Sequence, residues 1–194
     1  QEKIAVWKVV MIAIAFCGIA GVFSAVIAPI ENRMMAEARN TVLSHLPAGF
    51  DWTNYEYLKS FPKSIRILTC VYYGIFNVFV GPITEELYFR GYLTSHYEKQ
   101  NSFTPIVIAV LFSLYHFWLP FDNVFRILAF APVAYIAYKK KNLYISICFH
   151  LAINPIPYIG YRIPDLSLTV KISYFLKLYN KADRKNGLPF VAQN

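Results

Sequence analysis

The sequence predicts an all-α fold, a polytopic transmembrane bundle of about five to six spans with interfacial helices. Three observations predict it. The chain of 194 residues is 57% hydrophobic and 18% aromatic, and only 15% charged, where a soluble domain carries about a quarter charged residues. The apolar residues are gathered: Val9 to Ile30 is 22 residues without a charge, Asn101 to Phe121 is 21 broken only by His116, and Asn142 to Tyr161 is 20 broken only by His150. Runs of about 18 or more apolar residues are long enough to cross the hydrocarbon core as helices, and several in one short chain argue against a buried soluble core.

The elements follow in order. The first span is expected over Ala5 to Ile30, closed by Pro29. Lys3 and Lys8 precede its uncharged run from Val9 to Ile30 as in a signal peptide, but that run exceeds the usual h-region of about 7–15 residues, which favours a true span. A chain that opens on Gln1 is expected to be processed or preceded by further residues. Met34, Ala38, Val42 and Leu46 recur every four residues and predict an interfacial helix over Glu31 to Leu46. The next loop carries Trp52, Tyr55, Tyr57 and Phe61, a density that suits the headgroup belt. A second span runs from about Ser64 to Tyr97. Pro82 lacks an N–H and should kink it. At 1.5 Å per residue its roughly 34 residues reach about 50 Å, more than a membrane needs. Further spans are expected over Thr104 to Leu119, Val124 to Tyr138 and Leu143 to Ile159. The tail from Asp165 to Asn180 reads as a weak amphipathic helix or a sixth span. The whole chain, 1–194, reads as one integral membrane domain with a motif-bearing core over 64–160, and the expected location is integral to a membrane, multi-pass.

The net charge of +8 sits in loops and tail, as at Lys139 to Lys141. Anionic lipid headgroups account for it, and no nucleic-acid motif is present. Lys and Arg fall on both sides of the alternation, so the charge rule gives no orientation. Cys17, Cys70 and Cys148 lie inside apolar runs with no metal spacing and read as small buried hydrophobes.

Ionisable side chains at the centre of a bilayer cost roughly 2.5–3.5 kcal/mol on insertion scales and face the bundle interior. Glu86 and Arg90 are four apart on one helix face and read as an ion pair that orders the helix. Glu85 points about 100° away and has no cation within reach on its own helix, so its partners must come from other helices. His116 alone reads as a hydrogen-bonded core histidine, and His150 with Asn154, four apart, as polar glue between helices. Together, one carboxylate and two imidazoles from three spans plus an amide suit a hydrolase site. A carboxylate and a histidine hold a water and take its proton, while a second histidine and an asparagine donate to an oxyanion. Ser113 and Ser146 lack a serine-hydrolase context.

The ordered set of EExxxR (Glu85, Glu86, Arg90), FxxxH (Phe112, His116) and HxxxN (His150, Asn154), with Gly81–Pro82 before it, resembles the CPBP intramembrane proteases, also called Abi. That family includes the type II CAAX prenyl endopeptidases. The resemblance covers about Gly74 to Pro155. It implies an endopeptidase that cuts near the C-terminus of, or within, a membrane-associated peptide or prenylated protein. In it Glu85 activates water with help from His116, His150 and Asn154 stabilise the oxyanion, and Glu86 and Arg90 support the first motif helix. It implies no cofactor. Two alternatives stay open: a zinc protease holding the metal with Glu85, His116 and His150, and a non-catalytic membrane immunity or scaffold protein.

Overall fold

A computed structural model describes residues 3–47, 59–98 and 100–155, which lie in one compact unit, Gln1–Pro155. The aromatic loop residues Trp52, Tyr55 and Tyr57, the end of the last expected span and the tail lie outside the described residues. All regular structure among the described residues is helical. The helices are α1 (Val6–Met34), α2 (Ala36–Ser44), α3 (Lys63–His96), α4 (Thr104–Tyr115), α5 (Asn123–Lys139) and α6 (Tyr144–Ile153).

Two of these, α1 and α3, are long and apolar enough to cross a membrane by length and composition. Their outward faces carry exposed Met11, Ile14, Val22 and Val26 on α1, and Leu68, Val71, Ile75 and Phe79 on α3. Helix α4 stops short of its expected span, whereas α5 covers its expected span in full. At 1.5 Å per residue, α4 and α6 reach about 18 and 15 Å, against a hydrocarbon core of roughly 30 Å. Pro29 does not close α1 as expected: the helix continues through it to Met34. Transmembrane helices tolerate proline where neighbouring groups re-satisfy the backbone. The helix expected over Glu31 to Leu46 is divided at Met35, and α2, its second part, has no buried residue. The cysteines are half-buried rather than fully buried.

The helices pack through a core of aromatic and aliphatic side chains. Helix α1 lies along α5 and α6, α4 lies along α5, and the Gly81–Glu86 part of α3 lies against α6. The small residues Ala13 and Ala20 of α1 admit this close approach, and Phe112, Val133, Ile145 and Phe149 fill the centre with no exposure. Phe112 stacks edge-on against Phe89 at 5.4 Å and meets Phe130 at 4.8 Å, a ring geometry worth about 1 kcal/mol per pair beyond burial.

The kink expected near Pro82 takes a specific form. Gly74–Val80 and Leu87–Leu93 are wide turns bonded to the fifth residue back, and ordinary α-helix joins them over Gly81–Glu86. Such π turns inside helices are frequent at functional sites. Gly81 is required there: a Cβ would sit 2.8 Å from the Phe76 carbonyl oxygen, the atom its own N–H bonds. Helix α5 ends in a Schellman turn, with Lys141 N–H on Tyr138 O at 3.1 Å and Asn142 N–H on Ala137 O at 3.0 Å. Lys141 takes the left-handed position at φ 44°, which glycine usually fills.

Candidate active site

The site is built where α4 stops. The sequence predicts helix to Leu119, but the backbone leaves the helix at His116 (φ −78°, ψ 49°). The freed carbonyls are taken up by Arg126 of α5. Its Nη1 donates to Ser113 O at 3.3 Å and its Nη2 to Leu119 O at 3.3 Å. His116 N–H closes on Ser113 O at 3.1 Å and Leu119 N–H on His116 O at 2.8 Å. The start of α5 is capped from α1: the Glu31 carboxylate accepts the N–H groups of Val124 and Phe125, each at 2.8 Å. Negative charge at a helix N-terminus is favourable, and these are charge-assisted bonds. Sequence reasoning missed Glu31 and Arg126, although the cost of burying a charge in an apolar helix flags both.

Glu86 is fully buried. Its Oε1 accepts from His150 Nδ1 at 2.9 Å and pairs with Arg90 Nη1 at 3.2 Å. The expected Glu86–Arg90 pair is therefore present, and His150 completes it as a triad. The Arg90 guanidinium lies 4.0 Å from the Phe112 ring centroid, a cation–π contact in a desolvated place.

Glu85 faces the two imidazoles. Its Oε2 is 4.0 Å from His116 Nε2 and 3.8 Å from His150 Nε2. These separations exceed hydrogen-bond range, and an atom about 2.8 Å from both partners closes each triangle. The proton positions follow from the partners. His116 Nδ1 is 2.8 Å from Phe112 O. A carbonyl only accepts, so Nδ1 carries hydrogen and Nε2 presents a lone pair when the ring is neutral. His150 Nδ1 donates to the Glu86 carboxylate, which leaves its Nε2 in the same condition. Two lone pairs and a carboxylate oxygen converge, and a shared proton, a water or a cation is needed between them.

Asn154 is directed elsewhere. Its Nδ2 donates to Asn77 O at 2.9 Å. That carbonyl lacks helix donors: Gly81 N–H bonds Phe76 O instead, and Pro82, five residues on, has no N–H. Asn154 therefore fills a gap that Pro82 opens, with one amide hydrogen still uncommitted.

The donor types also suit zinc, since each Nδ1 is held by a carbonyl or carboxylate as in zinc-ligating histidines. The spacing does not: bonds of about 2.0–2.1 Å in a tetrahedron place donors about 3.4 Å apart, closer than the distances here. No group of three among the described residues is arranged to hold a metal.

Residues 67–156 match the family model of the type II CAAX prenyl endopeptidase Rce1-like proteins. The match supports the resemblance of this segment to the CPBP/CAAX protease family. The match encloses every motif residue that carried the resemblance, from Glu85 to Asn154. That family is membrane-embedded and is named for CAAX protease activity. No curated protein and no solved structure matches the chain.

Proposed function

We propose that the chain is a multi-pass integral membrane endopeptidase of glutamate type. Its substrate is a peptide bond in, or near the C-terminus of, a membrane-associated peptide or prenylated protein. The observation that carries this is the convergence of His116 Nε2 and His150 Nε2 on one oxygen of Glu85, with no donor between them among the described residues. A water there donates one hydrogen to Glu85 and the other to His116. Glu85 takes the proton as the water oxygen attacks the scissile carbonyl, and then delivers it to the departing amine.

The tetrahedral oxyanion needs donors. His150 supplies one when its ring is doubly protonated, and Glu86 balances that charge through the 2.9 Å bond to Nδ1. Asn154 supplies its second amide hydrogen. Arg90 offsets the charge of Glu86. The short helices around the site fit a protein-lined cavity in a membrane, where irregular backbone is tolerated. This supports additional, partial crossings by α4, α5 and α6 beside the two long helices.

The test uses purified protein reconstituted in liposomes with a membrane-tethered peptide library read by mass spectrometry. Glu85→Gln, His116→Ala and His150→Ala should each stop cleavage while the protein stays folded. Wild-type cleavage in all three sinks the proposal. Elemental analysis on active protein separates the zinc reading: one metal per chain, with activity lost to chelators, would replace the water activated by Glu85. An immunity or scaffold role would leave Glu85→Gln fully functional in cells.

A further inference from the structure

One side chain holds both ends of the turn that carries His116. Arg126 of α5 is buried, at 9% exposure. Its Nη1 donates to Ser113 O and its Nη2 to Leu119 O, each at 3.3 Å. The same two residues bracket the backbone of His116. Its N–H donates to Ser113 O at 3.1 Å, and its carbonyl accepts the Leu119 N–H at 2.8 Å. Arg126 Nη1 also reaches Asn123 Oδ1 at 3.3 Å, an oxygen that accepts the Ser113 hydroxyl at 2.9 Å.

We propose that Arg126 is a positioning residue that sets which ring nitrogen of His116 faces the reaction, an inference that rests on the peptidase reading above. The route runs through Phe112 O. In a continued helix the His116 N–H would bond that carbonyl, four residues back. Here the N–H turns to Ser113 O instead. Phe112 O is left to the imidazole, which donates to it from Nδ1 at 2.8 Å. With hydrogen on Nδ1, the lone pair of Nε2 is presented on the side of Glu85. The bracket around His116 therefore fixes the tautomer as well as the place of the ring.

A plain capping role accounts for a cation at the end of α4. It does not account for the fork. A single donor caps one carbonyl, whereas a planar guanidinium holds two at a fixed separation. Nor does capping call for a buried charge, which is costly where a neutral group would serve. The two-handed contact around one residue, and that residue being the one that faces Glu85, is what a positioning role explains.

The test uses the full chain in liposomes and a tethered peptide that it cleaves. Arg126→Lys keeps the charge and much of the stem but cannot span both carbonyls. It should lower kcat per folded molecule about tenfold with KM nearly unchanged, the mark of a reacting group out of place. Arg126→Met should lower kcat about a hundredfold, and the lysine variant decides if the methionine variant does not fold. Ser113→Ala removes a hydroxyl of the same cluster but keeps the carbonyl, and should leave kcat within about twofold. Nitrogen-15 spectra of the imidazoles at neutral pH add a readout that needs no turnover, with the His116 signal identified by its loss in His116→Ala. Wild type should show His116 protonated on Nδ1, and Arg126→Lys a mixture with the Nε2-protonated form. A chain that cleaves no peptide sinks the peptidase reading, and the spectra still decide the positioning. The inference fails if wild-type His116 carries its hydrogen on Nε2, or if Arg126→Lys keeps the wild-type tautomer. It fails equally if Arg126→Lys turns over like wild type, if lost activity follows only the folded fraction, or if Ser113→Ala loses as much kcat.

Discussion

Glu31 and Glu85 are both carboxylates set into long apolar helices, and their surroundings are opposite. Both oxygens of Glu31 accept backbone N–H groups at the start of α5, and the residue is 6% exposed. Glu85 receives no protein hydrogen bond among the described residues, and its side chain is 18% exposed, facing two imidazole nitrogens at 3.8 and 4.0 Å. A carboxylate whose two oxygens each accept a fixed backbone N–H is committed to holding a helix start. One left open beside two bases has room for a water and a route for its proton. The difference sets the architectural acid apart from the one proposed to activate water, without reference to position in the chain.

Substitutions sharpen that contrast. The largest effect belongs to Glu85→Gln, which keeps shape and removes the base. Cleavage should fall by about 10²–10⁴-fold, while the thermal unfolding midpoint moves by no more than a few degrees. A glutamine variant that cleaves normally would end the distinction.

Glu31→Ala should do the reverse. Losing two charge-assisted bonds at a helix start costs about 3 kcal/mol, seen as earlier unfolding in a denaturant titration. Residual turnover per folded molecule should stay within about threefold of wild type at low temperature. Turnover that collapses while stability is unchanged would move Glu31 into the chemistry.

Asn154 stands between the two classes, and a double-mutant cycle places it. Asn154→Ala strands the Asn77 carbonyl and should cost about 1–2 kcal/mol of stability. Pro82→Ala restores a backbone N–H, so in that background the same change should cost about 1 kcal/mol less. Full additivity would show that Asn154 does not serve the gap at Pro82.

The smallest effect is a gain. Lys141→Gly removes a left-handed lysine and should raise stability by about 1 kcal/mol. A loss of stability in the melting curve would show that the lysine side chain itself holds the turn.

The sequence made much of this legible, for physical reasons that also mark its limits. Glu86 and Arg90 pair within one helix, so spacing alone reveals them. Gly81 and Pro82 carry local rules, and the helix does change character there. The positions of Glu85, His116 and His150 were legible through their improbability in apolar runs, but their mutual geometry was not, because three helices set it. The end of α4 at His116 was hidden, since its carbonyls are satisfied by Arg126 after the turn rather than by a nearby cap. The Glu31 cap spans 93 residues, and no local pattern carries such a pairing. Pro29 reads as a stop in water but not inside α1.

The gap at Pro82 also bears on how the protein is made. In the multi-pass arrangement proposed above, the Asn77 carbonyl would enter the bilayer with α3, while the amide that satisfies it follows 77 residues later in the chain. Until α6 arrived, that carbonyl would be exposed to lipid, where an unpaired backbone group costs several kcal/mol. The second long helix is thus left thermodynamically incomplete at insertion. Its completion waits for the last motif helix, which makes arrival of the His150–Asn154 turn a checkpoint in assembly as well as a part of the site.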